Sequence, residues 1–229
     1  MIEINKKRHV VVIPARRGSK GFPFKNRLLF DETADFIDRH GWFDQVIVST
    51  DDEIVEEKTM ARGYVIHARP QELSGDAVSI KRVMQSVIHD LKLSKDTIMW
   101  LFYLSIVYKN ISDFLKAKQI IEEGKVLSIC GFVPAKSHPF TCWSYDQRNG
   151  ILKQYINNDI YRRQDRPRAW TYHHYISCFK TAEIEHLNSE LINNKTYPFF
   201  LQKQRIDQLL EIDTPEEYEQ WKSLAQKIV

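Results

Sequence analysis

The chain has 229 residues, of which 43% are hydrophobic and 12% aromatic, enough to bury the core of one large α/β domain. A net charge of only +3 gives no support to a nucleic-acid partner, and no apolar run approaches the roughly 18–20 residues of a membrane span. Three cysteines (Cys130, Cys142, Cys178) share no metal-ligand spacing, and the first residues lack a signal-peptide pattern. Free thiols, a cytoplasmic location and no membrane partner are therefore expected.

Strand-like and helix-like runs alternate along the chain. His9–Ile13 and Gln45–Ser49 are continuous apolar, β-branched runs of the kind that a buried parallel strand needs. Asp51 and Asp52 open a helix that runs to Arg62 and stops at Gly63, and Tyr64–Ala68 reads as a short strand. From Asp76, apolar residues at Ile80, Val83, Met84, Val87, Ile88 and Leu91 follow helical spacing. Thr97–Leu104 is the next apolar run, followed by a helix over Ser112–Glu123 and a strand over Val126–Val133. Phe140–Tyr145 and Ile151–Tyr155 flank Asn149-Gly150, a hairpin signal. Tyr172–Phe179 and Leu209–Ile212 read as further strands, and Thr214-Pro215-Glu216-Glu217 as a capping box opening the last helix. The order predicts an α/β fold, residues 1–229 forming one domain with an inserted arm over about 138–172.

The turn after the first strand carries the most chemistry. It reads Pro14-Ala15-Arg16-Arg17-Gly18-Ser19-Lys20-Gly21-Phe22-Pro23-Phe24-Lys25-Asn26. Two glycines and four cations sit where the carboxyl end of a buried strand meets a loop, the usual place for a ligand in an open α/β sheet. Glycines let backbone N–H groups approach phosphate, and the cations neutralise several charges together. Neither a Walker A loop nor a G-x-G-x-x-G pattern is present. Farther along, Glu211 and Asp213 lie two residues apart, so on a strand both carboxylates share a face. Such a pair suits Mg²⁺ together with substrate phosphates, or simply favours the following helix N-terminus.

IPARRGSKGFPFKN resembles the IPARxGSKGxxxKN signature of the acylneuraminate cytidylyltransferases. The resemblance continues at Ser49-Thr50-Asp51-Asp52, at Arg69-Pro70 with Glu72-Leu73, at Asp76 with Ser79, at Arg163-Gln164-Asp165 with Pro167, and at Glu211-Ile212-Asp213-Thr214. It implies a Rossmann-like three-layer sandwich on a mostly parallel (mixed) sheet, with an inserted β-hairpin dimerisation arm and a homodimer. It also implies a reaction: CTP, as co-substrate with Mg²⁺, condenses with an acidic nonulosonic sugar to give CMP-sugar and pyrophosphate, as in surface polysaccharide biosynthesis. On the matching positions Arg16, Gly18, Ser19, Lys20 and Lys25 would hold the triphosphate, with Arg16, Lys25 and Asp213 catalytic. Asn26, Arg69, Asp76 and Ser79 would contact the nucleotide, Glu211 and Asp213 the metal, and Arg163, Gln164, Arg166 and His173 the sugar.

Two segments depart from the family pattern. Where the family carries QPTSPLR, which reads cytosine, this chain has FYLSIVYK over 102–109, and only Ser105 is kept. Its apolar residues, with Trp100, Phe102, Tyr103 and Tyr108, are expected in the core. Where the family carries RPNG, which recognises the sugar acid, the chain has Thr171-Tyr172-His173-His174. The stretch between Asn26 and Phe43 is also short, leaving a compact Asp31–His40 piece. Two further readings follow from these departures: a relative that binds nucleotide with lost or altered catalysis, and an enzyme for another sugar acid such as Kdo.

Overall fold

The structure, a computed structural model, describes residues 8–18 and 21–225. The first strand, β1 (His9–Ala15), is apolar on both faces because both faces are covered. Helix α1 (Lys25–His40) follows, then β2 (Gln45–Thr50), α2 (Glu53–Ala61), β3 (Val65–Ala68), α3 (Ile80–Asp90), β4 (Ile98–Leu101), α4 (Ile111–Glu122) and β5 (Ser128–Pro134). The second half contributes β6 (Trp143–Asp146), β7 (Ile151–Gln154), β8 (Trp170–Lys180), β9 (Tyr197–Phe200), α5 (Lys203–Gln208) and α6 (Pro215–Ala225).

Seven strands form one sheet in the order β3-β2-β1-β4-β8-β5-β9. Every neighbouring pair is parallel except those made by β8, which runs against both β4 and β5. The alternating side chains of β1 feed two cores. Val11 and Ile13 pack with Trp100, Phe102 and the buried faces of α1 and α4, while Val10 and Val12 pack with Met99, Leu101 and α3. The result is a three-layer, Rossmann-like sandwich with a mixed, mostly parallel sheet. Strands β6 and β7 pair separately as an antiparallel hairpin, and the Gly150 N–H donates to the Asp146 carbonyl at 2.8 Å across the turn. Among the described residues no helix is long and apolar enough to cross a membrane.

Three expectations need correction. Residues 76–79 are a turn and an extended cap rather than helix, and α3 begins at Ile80 because the Ser79 hydroxyl caps it by accepting the Arg82 N–H. Leu209–Ile212 is not a strand. It makes one isolated bridge, Glu211 to Ile106, and its apolar side chains pack onto the larger core. The compact 31–40 piece is the distal part of a 16-residue helix that starts at Lys25, so Lys25 and Asn26 stand on its first turn.

At the opposite end of β1 a buried polar chain ties sheet to helix. The Trp100 Nε1–H donates to His9 Nδ1 at 3.0 Å, and His9 Nε2 meets Glu122 Oε1 at 3.0 Å. Burial holds the His9 imidazole below its ordinary pKa of 6.5, against the opposing pull of Glu122. Below pH 6.5 the unfolded chain therefore takes up a proton that the folded chain resists, and stability falls with pH until the lower folded value is passed. Urea unfolding is expected to show this loss between pH 7 and pH 5. His9→Asn, which keeps an acceptor for Trp100, should lose less over the same interval, whereas an equal loss would assign the effect to other groups.

Candidate functional site

The sheet order reverses direction beside β1: β2 and β3 lie on one side of it and β4 on the other. Ligands of open α/β sheets bind at such a switch point, beyond the carboxyl ends of the strands. A cleft of about 250 Å³ opens there. Arg16, Gly18, Lys25, Asn26, Arg69 and Asp76, all anticipated from sequence, line it, together with Tyr103, Leu104 and Ser105 from the loop after β4. Ser19 and Lys20 lie outside the described residues.

The STDD segment at the end of β2 scaffolds this cleft. The Thr50 hydroxyl donates to the Ala15 carbonyl at 2.6 Å, closing β2 onto β1, and Asp51 Oδ1 accepts the Arg17 N–H at 2.7 Å, fixing the path of the basic loop. Asp52 caps α2 by accepting the N–H groups of Ile54 and Val55, and it pairs with Arg27 of α1 at 2.8 Å. Asn26 Nδ2 donates to the Arg16 carbonyl at 2.8 Å, so this asparagine shapes the loop as well as lining the cleft.

Three cations face the cleft in different states. Arg16 pairs with Asp76 at 2.5 Å and donates to the Ser74 carbonyl. Lys25 pairs with Asp213 at 2.5 Å. Arg69 is 8% exposed; its Nε donates to Ser49 Oγ at 3.2 Å, and its Nη2 has no partner among the described residues. Desolvation, reinforced by Arg16 and opposed by Asp51, lowers its pKa to about 10. A buried guanidinium without a carboxylate is costly to the empty protein, and an anion in the cleft would satisfy it.

Glu211 and Asp213, from the far end of the chain, are not among the residues that line the cleft but contact two that do, Ser105 and Lys25. Ser105, the residue retained from the family's base-reading segment, donates to Glu211 Oε1 at 3.5 Å. Desolvation and the neighbouring Asp213 raise the Glu211 pKa, against Lys25. The Asp213 N–H is held by Glu217 Oε2 at 2.7 Å, within the capping box read from sequence. Gly21 lets the basic loop lie against this segment, because a Cβ there would stand 2.9 Å from the Asp213 carbonyl. The hard oxygen donors of Glu211 and Asp213 fit Mg²⁺, which commonly takes one or two carboxylates and completes its shell with water and phosphate. No cluster of three or more His, Cys, Asp or Glu that could hold a metal occurs among the described residues.

The sugar-side expectations fare differently. Arg163, Gln164 and Arg166 lie on the segment between the hairpin and β8 and do not line the cleft. Ser79 is absent from the lining too, being engaged as the α3 cap. His173 is turned to its own strand, its Nδ1 accepting the Tyr175 N–H at 3.1 Å. Its neighbour His174 packs instead against Tyr103, with ring centroids 5.4 Å apart. Tyr103, expected in the core, packs half-buried against both cores and also lines the cleft, because β4 ends at Leu101 and the chain turns along the cleft wall.

No protein-family model matches the chain. It is 26% identical over 164 residues to the N-acylneuraminate cytidylyltransferases of Streptococcus agalactiae serotypes III, Ia and V. The match covers 68% of this chain but spans only 39% of those proteins' length. Among solved structures, a CMP:2-keto-3-deoxy-manno-octonic acid synthetase complexed with CTP superposes with a TM-score of 0.67 at 17% identity, covering 97% of this chain and 100% of that one. A 4-diphosphocytidyl-2C-methyl-D-erythritol synthase from Anaerococcus prevotii gives 0.59 at 15%, covering 96% and 99%. A cytidylyltransferase from Leptospira borgpetersenii gives 0.58 at 17%, covering 95% and 86%. In sequence the chain is therefore a divergent relative of the acylneuraminate cytidylyltransferases, built on a fold that these cytidylyltransferases share.

Proposed function

We propose that the chain is a cytidylyltransferase that activates an acidic, sialic-acid-like sugar with CTP, releasing pyrophosphate. The observation that carries this reading is the buried Arg69, its Nη2 without a partner among the described residues, lining the same cleft as Arg16 and Lys25 at the switch point of the sheet. Similarity to the streptococcal N-acylneuraminate cytidylyltransferases supports the sugar class. Arg16, Lys25 and Arg69 would carry the triphosphate, with Gly18 giving the backbone access to it. Ser19 and Lys20 complete the basic loop in sequence. Glu211 and Asp213 would hold Mg²⁺, which supplies neutralisation of phosphate charge.

In this reading the sugar hydroxyl attacks the α-phosphorus, the bond to the β-phosphate oxygen breaks, and the electron pair leaves with pyrophosphate. Asp213 accepts the hydroxyl proton. The cations hold donor and acceptor in line and stabilise the charge moving onto the leaving group. Binding requires an exchange of ion pairs. Lys25 is committed to Asp213 in the empty cleft and must be released to phosphate.

Two measurements test this. Pyrophosphate release assayed with each of the four nucleoside triphosphates and a panel of nonulosonic acids should show turnover with CTP; none with any pair would contradict the reading. Asp213→Asn should cut that turnover by about 10²–10⁴-fold, as expected for loss of a proton acceptor. The same variant frees Lys25, so calorimetry without metal should show CTP binding more tightly than to the wild type. Weaker metal-free binding would count against the exchange.

Arg69→Met offers a separate check. Losing a charged hydrogen-bonding partner should weaken CTP binding about 10- to 100-fold. Because the variant also removes a buried unpaired charge, its urea midpoint should equal or exceed that of the wild type. A large loss of stability would instead make Arg69 a structural residue.

The hairpin is the surface through which we propose that two copies pair, with residues 1–229 acting as one transferase domain and about 138–172 as its arm. Trp143, Tyr145, Ile151, Leu152 and Tyr155 are exposed on or beside its two strands, an unusual concentration of apolar surface for a free face. Light scattering is expected to give twice the chain mass, and Ile151→Glu with Leu152→Glu to return it to the single-chain value. A wild type of single-chain mass would contradict the pairing.

A further inference from the structure

Behind the buried Arg69 guanidinium stands a row of polar side chains that the proposed reaction does not use. Ser49 of β2 and His67 of β3 are direct partners across two parallel strands. Arg69 precedes Pro70, which favours extended backbone, and its N–H donates to the Thr50 carbonyl at 2.8 Å. Backbone pairing therefore continues one residue past β3, and His67 and Arg69, two apart, share a side of it. Helix α3 adds Ser86 and Asp90, one turn apart on one face.

The distances join these groups into a single line. Arg69 Nε lies 3.2 Å from Ser49 Oγ, Ser49 Oγ lies 3.0 Å from His67 Nδ1, and His67 Nε2 lies 3.0 Å from Asp90 Oδ2. The Ser86 hydroxyl donates to the same Asp90 oxygen at 2.9 Å and stands 3.2 Å from His67 Nε2. Ser49 is wholly buried and His67 is 3% exposed, whereas the Asp90 side chain, at the end of α3, is 43% exposed. The line runs from the cleft through the interior to a carboxylate in contact with solvent.

Its proton directions are set from both ends. A guanidinium only donates, so Ser49 Oγ accepts from Arg69 and must place its own proton elsewhere. The other group within hydrogen-bonding distance of that hydroxyl, among the described residues, is His67 Nδ1. At the outer end, hydrogen bonds from His89, His67 and Ser86 hold the Asp90 pKa down to about 2, so Asp90 is an anion and accepts from His67 Nε2. His67 is then the neutral Nε2–H tautomer, with Nδ1 as the acceptor for Ser49. Each member accepts from the side of Arg69 and donates toward Asp90, and hydrogen bonds aligned in one sense polarise one another in a dry interior.

We propose that Ser49, His67 and Asp90 are positioning residues for Arg69: their line fixes the plane of the guanidinium through Nε and leaves Nη2 for an anion in the cleft. This rests on the cytidylyltransferase reading and deepens it, since none of the three lines the cleft. Arg16 and Lys25 are paired with carboxylates in the empty cleft. Arg69 is held in place without a close ion pair that would compete with phosphate.

The wild type supplies the first test. ¹⁵N NMR of the histidine rings should show His67 with its one proton on Nε2, and any other protonation would overturn the proposal. Calorimetry with Mg·CTP supplies the second. Ser49→Ala should weaken binding about tenfold, the worth of one charged hydrogen bond, and Asp90→Ala about fivefold. In an Arg69→Met background the same two changes should each alter the affinity by less than about 1.5-fold, because they act through Arg69 alone. A merely structural role would make the losses equal in both backgrounds, and that result would overturn the proposal, as would Asp90→Ala binding as tightly as the wild type. Asp90 is partly exposed, so its variant reports even where Ser49→Ala does not fold. Failure of the wild type to bind Mg·CTP would overturn the cytidylyltransferase reading, and this inference with it, whereas equal losses beside intact wild-type binding overturn this inference alone.

Discussion

The site depends on one close approach between the two ends of the chain. Gly21 allows the basic loop to lie against the backbone at Asp213, and Lys25 closes the contact with an ion pair to the Asp213 side chain at 2.5 Å. Neither partner could be placed by its own local structure. Lys25 is carried on the first turn of α1, and Asp213 is held by the Glu217 capping box at the start of α6. Tertiary packing of Ile212 into the core fixes the distance between them. One segment supplies the cation and the other the carboxylate, and the fold brings the two together as an ion pair.

Arg69 is the complementary case. Lys25 and Arg16 have carboxylates to face in the empty cleft, whereas Arg69 Nη2 has no partner among the described residues and is held by the buried end of β2 through Ser49. The protein thereby keeps a desolvated cation at the switch point of its sheet. Electrostatic preorganisation of this kind costs stability in the free protein and is recovered on binding.

Much of this was legible in the sequence, for identifiable reasons. β1 and β2 declare themselves because strands covered on both faces must be apolar throughout, and the α2 start because Asp52 is a strong cap. The basic loop is legible because glycines and cations crowd one strand end. Leu209–Ile212 misled because its apolar residues answer to the core and not to a neighbouring strand, and apolarity alone does not tell the two apart. The true start of α1 was hidden by Phe24, a non-glycine residue at φ +59° that no pattern announces. The same limit applies to the histidine pair of β8. His173 and His174 are adjacent and chemically identical, and a register slip opposite Gly131 decides which of them meets Tyr103. Strand parity can be counted in a sequence, but a bulge that resets it depends on a partner strand some forty residues away.

The central claim is that Arg16, Lys25 and Arg69 together hold one triphosphate, and that its entry opens the Lys25–Asp213 pair. A crystal structure of the protein with Mg·CTP tests this most directly. The account predicts triphosphate oxygens within hydrogen-bonding distance of all three cations, Arg69 Nη2 included, with Lys25 moved off Asp213 and Asp213 turned to the metal. A nucleotide bound elsewhere, or one bound in the cleft with Arg69 Nη2 still unpaired and the Lys25–Asp213 pair intact, would contradict it.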